Sequence, residues 1–295
     1  MRILSFYAPD GDVRLGVETE RGVVDVRAAA EAARLPAPGT ARELIAGGQA
    51  SLTQLDQVLE SAAGDAAHTV AAEELRLAPV VADPEKVICV GANYRKHSDE
   101  AGLPVPDQPI YFAKYRNSLS GHGDDVAIPT VTQKVDYEVE LVAVIGRPTR
   151  RVEVAEALDH VFGYATGNDL SARELQMRSS QWMYGKAIDG FAPLGPFLVT
   201  ADEVPDPQDL ELRTWVNGEL RQESNTKDMV FSVAELVSDL SQIMTLEPGD
   251  LIYTGTPEGV ILGMKDKTWL TGGDEVVCEV AGLGRLVTNL VLDKE

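Results

Sequence analysis

Positive charge is scarce in this 295-residue chain: 26 Lys and Arg stand against 47 Asp and Glu, a net charge of −21. Nucleic acid and anionic membranes need a basic footprint, so neither is expected as a partner. Small anionic substrates stay open, because a bound metal or a local basic cluster reverses the field in one cleft. Long apolar runs are missing too, and none approaches the ~20 residues that span a bilayer. Cysteine occurs only at Cys89 and Cys278, both in apolar, strand-like segments. That count excludes a disulfide framework, and the spacing excludes a zinc site. The opening "MRILSFYAPDGDVRLGVE" puts Pro-Asp-Gly where a signal peptide carries its apolar core. With both thiols read as reduced, the expectation is a soluble cytoplasmic protein. Internal repeats and low-complexity tracts are also absent.

What is present is 44% apolar residues, enough for a sizeable core. Residues 1–80 read as a small N-terminal α/β domain: short strands "RILSF", "RLGVE" and "GVVDV", then amphipathic Ala-rich stretches near 39–48 and 53–62. It holds no plausible catalytic cluster. Residues 81–295 read as the main domain, with Asp83-Pro84 as the break. Strands dominate there and helices do not alternate with them, so the class is α+β, β-rich, rather than doubly wound. Ser232 with Glu235 and Ser171 with Glu174 each have capping-box spacing, predicting two helix starts. Asn217-Gly218 predicts a two-residue hairpin turn.

"VDYEVELVAVIG" reads as a strand buried on both faces, yet Glu138 and Glu140 share one of those faces. Either they lie at a solvated strand end, or a divalent cation removes their repulsion. Asp169 in "GYATGNDLSAR", at the end of another strand-like stretch, is a candidate third ligand, or else a turn residue. Three carboxylates with no nearby histidine specify a hard cation such as magnesium, manganese or calcium. Arg173 and Gln176 follow Asp169 on one helical face. Lys186 lies among aromatic, Gly and Pro residues, as a surface charge or as a cation facing an enolate. The chain has four histidines, and only His97 has a glutamate, Glu100, one helical turn on, where a carboxylate orients an imidazole.

Taken in order, "GANYRKHSDE", "FAKYRNSLSGHGDDVAIP", "VDYEVELVAVIG", "GYATGNDLSAR", "QWMYGKAIDGFAPLGP" and "GDLIYTGTPEGV" resemble the fumarylacetoacetate hydrolase superfamily. The resemblance runs from about residue 85 onward and lies with its acylpyruvase-like and 2-hydroxyhepta-2,4-diene-1,7-dioate isomerase-like branch. It implies a mixed-strand β-roll, commonly a homodimer, with one magnesium or manganese ion per chain and calcium as a substitute. It assigns Glu138, Glu140 and Asp169 to the metal, and His97 and Glu100 to an acid–base pair on a mobile lid, which the polar, Gly- and Pro-containing stretch 93–104, "NYRKHSDEAGLP", is expected to form. Lys186 becomes the cation beside the substrate, with Arg173, Gln176 and Thr256 as substrate contacts. Two departures, "PEGVILG" after the Gly-Thr-Pro loop and Tyr115-Arg116 after the lysine, lie near loops that shape the pocket.

The activity expected from this resemblance is hydrolysis of a C–C bond in a 2,4-dioxo acid such as an acylpyruvate, through a metal-bound pyruvate enolate. Oxaloacetate decarboxylation or tautomerisation and dienoate isomerisation use the same centre and are the alternatives. A metal-binding scaffold would leave His97, Gln176 and Lys186 without a task.

Overall fold

In the computed structural model of the protein, which describes residues 1–63, 66–102 and 104–293, Val139–Ile145 is a strand buried along its whole length. Leu141, Ala143 and Ile145 face one apolar cluster, while Val142 and Val144 face another. That alternation is what a strand covered on both faces requires. It sits inside a twelve-stranded sheet whose main path runs Thr69–Val70, Gly22–Asp25, Val13–Thr19, Arg2–Tyr7, Ala192–Thr200, Val161–Asn168, Val139–Ile145, Leu251–Tyr253, Val87–Gly91, Ile110–Lys114. Neighbours along this path are antiparallel except Leu251–Tyr253 and Val87–Gly91, which run parallel. A five-stranded sheet, ordered Glu219–Asn225, Glu211–Val216, Glu275–Val280, Gly284–Leu292, Asp125–Ile128, is also mixed. Its Leu212, Cys278 and Leu286 join Leu141 in one core, together with Leu236 and Leu240 of the helix Val233–Ile243. The class is α+β and strand-rich, as expected.

The N-terminal strands extend the large sheet, with Arg2 opposite Val199 and Ile3 opposite Leu198. Leu44, Ile45, Leu55 and Val58 of the helical stretch Ala41–Ala62 pack with Val142, Val144 and Leu198. This stretch is broken at Gly48 (φ 54°, ψ −139°), a left-handed φ that glycine adopts freely, which separates the two amphipathic segments seen in the sequence. One helix, Val26–Ala33, was not expected. "GVVDV" reads as a strand throughout, but the strand ends at Asp25, whose carboxylate accepts from Ala28 N at 3.1 Å and starts the helix.

The two predicted capping boxes part company. Ser232 and Glu235 form one, with Ser232 N donating to Glu235 Oε2 at 2.7 Å and Glu235 N to Ser232 Oγ at 3.3 Å. Ser171 forms none: it belongs to a two-residue strand with Ala172, and its hydroxyl donates to the Asp169 carbonyl. Glu174 instead accepts from Thr132 Oγ1 and Gln133 N, tying down a neighbouring loop. Asn217 and Gly218 turn the hairpin with φ of 51° and 81°. Among the described residues no helix is long and apolar enough to cross a membrane.

Because both halves of the Ser232 box are formed, Ser232→Ala should lower stability by about 1 kcal/mol, read as a lower midpoint in chemical denaturation. An unchanged midpoint would show that the cap contributes nothing.

Candidate active site

Strand register brings the three acidic residues together. Val139 pairs with Asn168 and Glu140 with Gly167, so Glu138 and Asp169 meet just past the paired ends. The Asp169 N–H donates to the Glu138 carbonyl at 2.9 Å, and Asn168 Oδ1 accepts from Glu138 N at 3.0 Å. Carboxylate oxygens of Glu138, Glu140 and Asp169 consequently lie within 4.8 Å of one another, all three residues buried. Gly255 N, from the loop after Leu251–Tyr253, donates to Glu140 Oε2 at 2.8 Å.

Basic groups surround this cluster. Lys186 Nζ donates to Glu138 Oε2 at 2.5 Å and to Asp169 Oδ2 at 2.7 Å, and lies 4.9 Å from the centre of the Phe112 ring. Arg173 reaches Glu138 Oε1 through Nη2 and Asp136 Oδ2 through Nε, both at 2.8 Å, and donates to Gln176 Oε1 at 3.1 Å. Two further members, Lys114 and Asp136, were not singled out from the sequence. Lys114 Nζ lies 2.5 Å from Asp169 Oδ1 as an ion pair, but its aligned hydrogen bonds go to the Leu170 and Phe191 carbonyls. Asp169 Oδ1 is buried and takes this ion pair without a further aligned hydrogen bond. Asp136 also accepts from Ile261 N at 2.8 Å and Leu262 N at 3.0 Å, joining Arg173 to the segment after the Gly-Thr-Pro loop. A signal for Asp136 was present, since Asp136, Glu138 and Glu140 follow a period of two. For Lys114 it was a lone lysine closing the apolar strand "IYFAK".

The charges do not balance locally. Burial alone would push the Glu138 carboxyl up, but Lys186 and Arg173 outweigh it and hold it below the usual carboxylate range. Glu140 is pushed well above that range by burial and by the neighbouring Asp169 and Glu138. Lys186, though opposed by burial, is raised by Asp169 and Glu138, while Lys114 is lowered by burial despite Asp169. Glu140, whose hydrogen-bond donor is a backbone N–H rather than a cation, completes an all-oxygen donor set with Glu138 and Asp169. That set suits a hard divalent cation, which Glu138, Glu140 and Asp169 would hold.

His97 and Glu100 stand on the helix Arg95–Ala101. Burial dominates the surroundings of His97, with smaller influences from the charges of Glu138, Arg173, Glu100 and Asp136. Burial lowers its pKa from the ordinary 6.5, so it is neutral at pH 7. The expected orienting bond is not made: Nδ1 lies 3.9 Å from Glu100 Oε2 and has no hydrogen-bond partner. Glu100 Oε2 accepts from Gly259 N at 3.0 Å instead, its carboxylate filling the space a Cβ at Gly263 would need. Of the lid stretch 93–104 foreseen in the sequence, Leu103 lies outside the described residues. Thr256 is buried beside Gly255, and Gln222 Nε2 donates to its Oγ1 at 3.0 Å. Nothing in the polar segment "GELRQESN" marked Gln222.

The family model described as "Fumarylacetoacetate (FAA) hydrolase C-terminal" matches residues 86–291. The chain belongs to this family. A mitochondrial oxaloacetate tautomerase of Bos taurus is 40% identical over 296 residues, covering 99% of this chain and 92% of the relative. The fumarylacetoacetate hydrolase of psychrophilic Exiguobacterium antarcticum superposes with a TM-score of 0.84 at 36% identity, covering 99% of this chain and 100% of that one. The maleylpyruvate hydrolase of Sphingobium sp. SYK-6, solved with manganese(II) and pyruvate, gives 0.80 at 31% identity, with both chains covered 100%. As a fumarylacetoacetate hydrolase family member the chain carries an enzyme fold, and its acidic triad suits a divalent metal.

Glu140→Gln should weaken magnesium and manganese binding severely, because it removes a charged ligand from a set of three. Unchanged metal titration would count against the assignment. The helix Arg95–Ala101 has no side-chain cap and exposes Arg95, Lys96 and Asp99. Its amides should exchange hydrogen faster than those of Val139–Ile145, and equal protection would remove the lid reading.

Proposed function

We propose that this protein interconverts the keto and enol forms of oxaloacetate or a closely related 2-oxo dicarboxylate, using magnesium or manganese. The observation that carries this reading is the 40% identity to an oxaloacetate tautomerase across 99% of the chain. Tautomerisation needs a base and an acid for one proton, and positive charge beside the oxygen that becomes negative. Glu138, Glu140 and Asp169 would hold the cation, which supplies Lewis-acid polarisation of the 2-oxo group and anchorage for the acid. His97, neutral at pH 7, would take the proton from C3 as that C–H pair becomes the C2–C3 double bond and the carbonyl pair moves to oxygen, and would then deliver the proton to that oxygen, giving the enol. Lys186, kept protonated between Glu138 and Asp169, adds positive charge to the same side of the site. Arg173 fixes Glu138 and Gln176 relative to one another.

Hydrolysis of an acylpyruvate, the activity expected first from the sequence, is the second reading. It is favoured by the likeness to a maleylpyruvate hydrolase solved with manganese and pyruvate. There His97 would activate water toward the C4 carbonyl, and the C3–C4 bond would break. The higher identity to a tautomerase, 40% against 31%, supports proton transfer over it.

Following the enol absorbance of oxaloacetate, with maleylpyruvate and acylpyruvates as parallel substrates, separates the two readings. His97→Ala should retain metal and lose about 10²–10⁴-fold in kcat for tautomerisation. With metal saturating, parental kcat/KM should rise with pH through a midpoint below 6.5, because burial depresses the His97 pKa and only the neutral ring accepts a proton. Parental rates in His97→Ala, or an acid limb that survives the substitution, would remove His97 from the mechanism.

A further inference from the structure

Gln222 touches none of the three carboxylates, yet its amide joins both segments that shape their surroundings. Its Oε1 accepts from Val139 N at 3.1 Å, the peptide between Glu138 and Glu140, and from Thr214 Oγ1 at 2.8 Å. Its Nε2 faces Thr256 Oγ1 at 3.0 Å, the Pro257 carbonyl at 3.1 Å and the Glu258 carbonyl at 3.3 Å. These partners fix which end of the amide is which. A backbone N–H cannot accept and a backbone carbonyl cannot donate, so a flipped amide would be repelled at both ends. The residue is 1% exposed, so water does not compete for these bonds.

The consequence falls on Thr256. An amide nitrogen offers no lone pair, so toward Gln222 the threonine hydroxyl can only accept. Its proton is left to point elsewhere, and Thr256 follows Gly255, whose N–H bonds Glu140 at the carboxylate cluster. We infer that Gln222 is a positioning residue that holds the Thr256 hydroxyl as a one-way donor toward the bound oxo acid. The site would then favour an ionised carboxylate, which only accepts, over a hydroxyl or amide nitrogen at that point. This rests on the reading that a 2-oxo acid binds beside the carboxylate cluster.

Calorimetric titration of the manganese-loaded protein with pyruvate tests it, with manganese affinity measured in parallel. Thr256→Val should weaken pyruvate roughly tenfold or more without changing manganese affinity, and Thr256→Ser should keep pyruvate affinity. Gln222→Glu replaces the donor with an acceptor, draws the Thr256 proton onto the introduced carboxylate, and should weaken pyruvate comparably. In a Thr256→Val background the Gln222 substitution should have no further effect, whereas a purely structural or long-range charge effect would add to it. Additive losses overturn the inference. Should Gln222→Glu fail to fold, equal pyruvate affinity in the parent and Thr256→Val, or equal losses in Thr256→Val and Thr256→Ser, overturns it. Pyruvate binding that depends on the Thr256 hydroxyl, in a protein that does not tautomerise oxaloacetate, would sink the proposed activity and leave this inference standing. A parent that binds no pyruvate overturns it.

Discussion

Three carboxylates held within 4.8 Å of one another in a buried site repel strongly. At an effective dielectric of ~20, each ionised pair at that range costs about 3 kcal/mol, before any loss of hydration. Much of the surrounding structure answers this cost. Lys186 bridges Glu138 and Asp169, Arg173 bridges Glu138 and Asp136, and Lys114 backs Asp169 from the far side. Glu140 receives a backbone N–H rather than a cation, and its raised pKa marks where compensation stops. The scarcity of basic residues along the chain makes this local concentration of three of them more telling.

The strand that carries the site was legible because burial on both faces leaves a strong mark: an unbroken apolar run interrupted by carboxylates. Glu138, Glu140 and Asp169 were readable for the same reason, since charge is conspicuous against an apolar background. Ser171 was misread because a Ser-x-x-Glu spacing is only an offer to cap. Here the backbone at Ser171 and Ala172 pairs with Val135 and Asp136 as a short strand, and Glu174 finds better donors in Thr132 and Gln133. Gln222 left no mark, because a buried glutamine inside a polar hairpin strand looks like a solvated one until the opposing loop is in place. The helix Val26–Ala33 was hidden by an aspartate read as part of a strand when it was a cap.

The relatives of this chain are named for different reactions, tautomerisation and hydrolysis among them. The centre itself rests on paired strands and a rigid register. His97, by contrast, sits on a seven-residue helix, fastened partly through Glu100 to Gly259. In the proposed function, proton transfer would fall to an element anchored through loop contacts, and charge stabilisation to the core.

The pairing of Arg2 with Val199 and Ile3 with Leu198 has a consequence for how the chain can be cut. The family-matching span, residues 86–291, taken alone would present Ala192–Thr200 with part of its hydrogen-bonding edge bare. It would also uncover Val142, Val144 and Leu198, now packed with residues of the N-terminal helices. A bare edge beside an apolar face is a template for sticking to other chains. The first eighty residues therefore shield an edge and an apolar face that the family-matching span would leave open on its own.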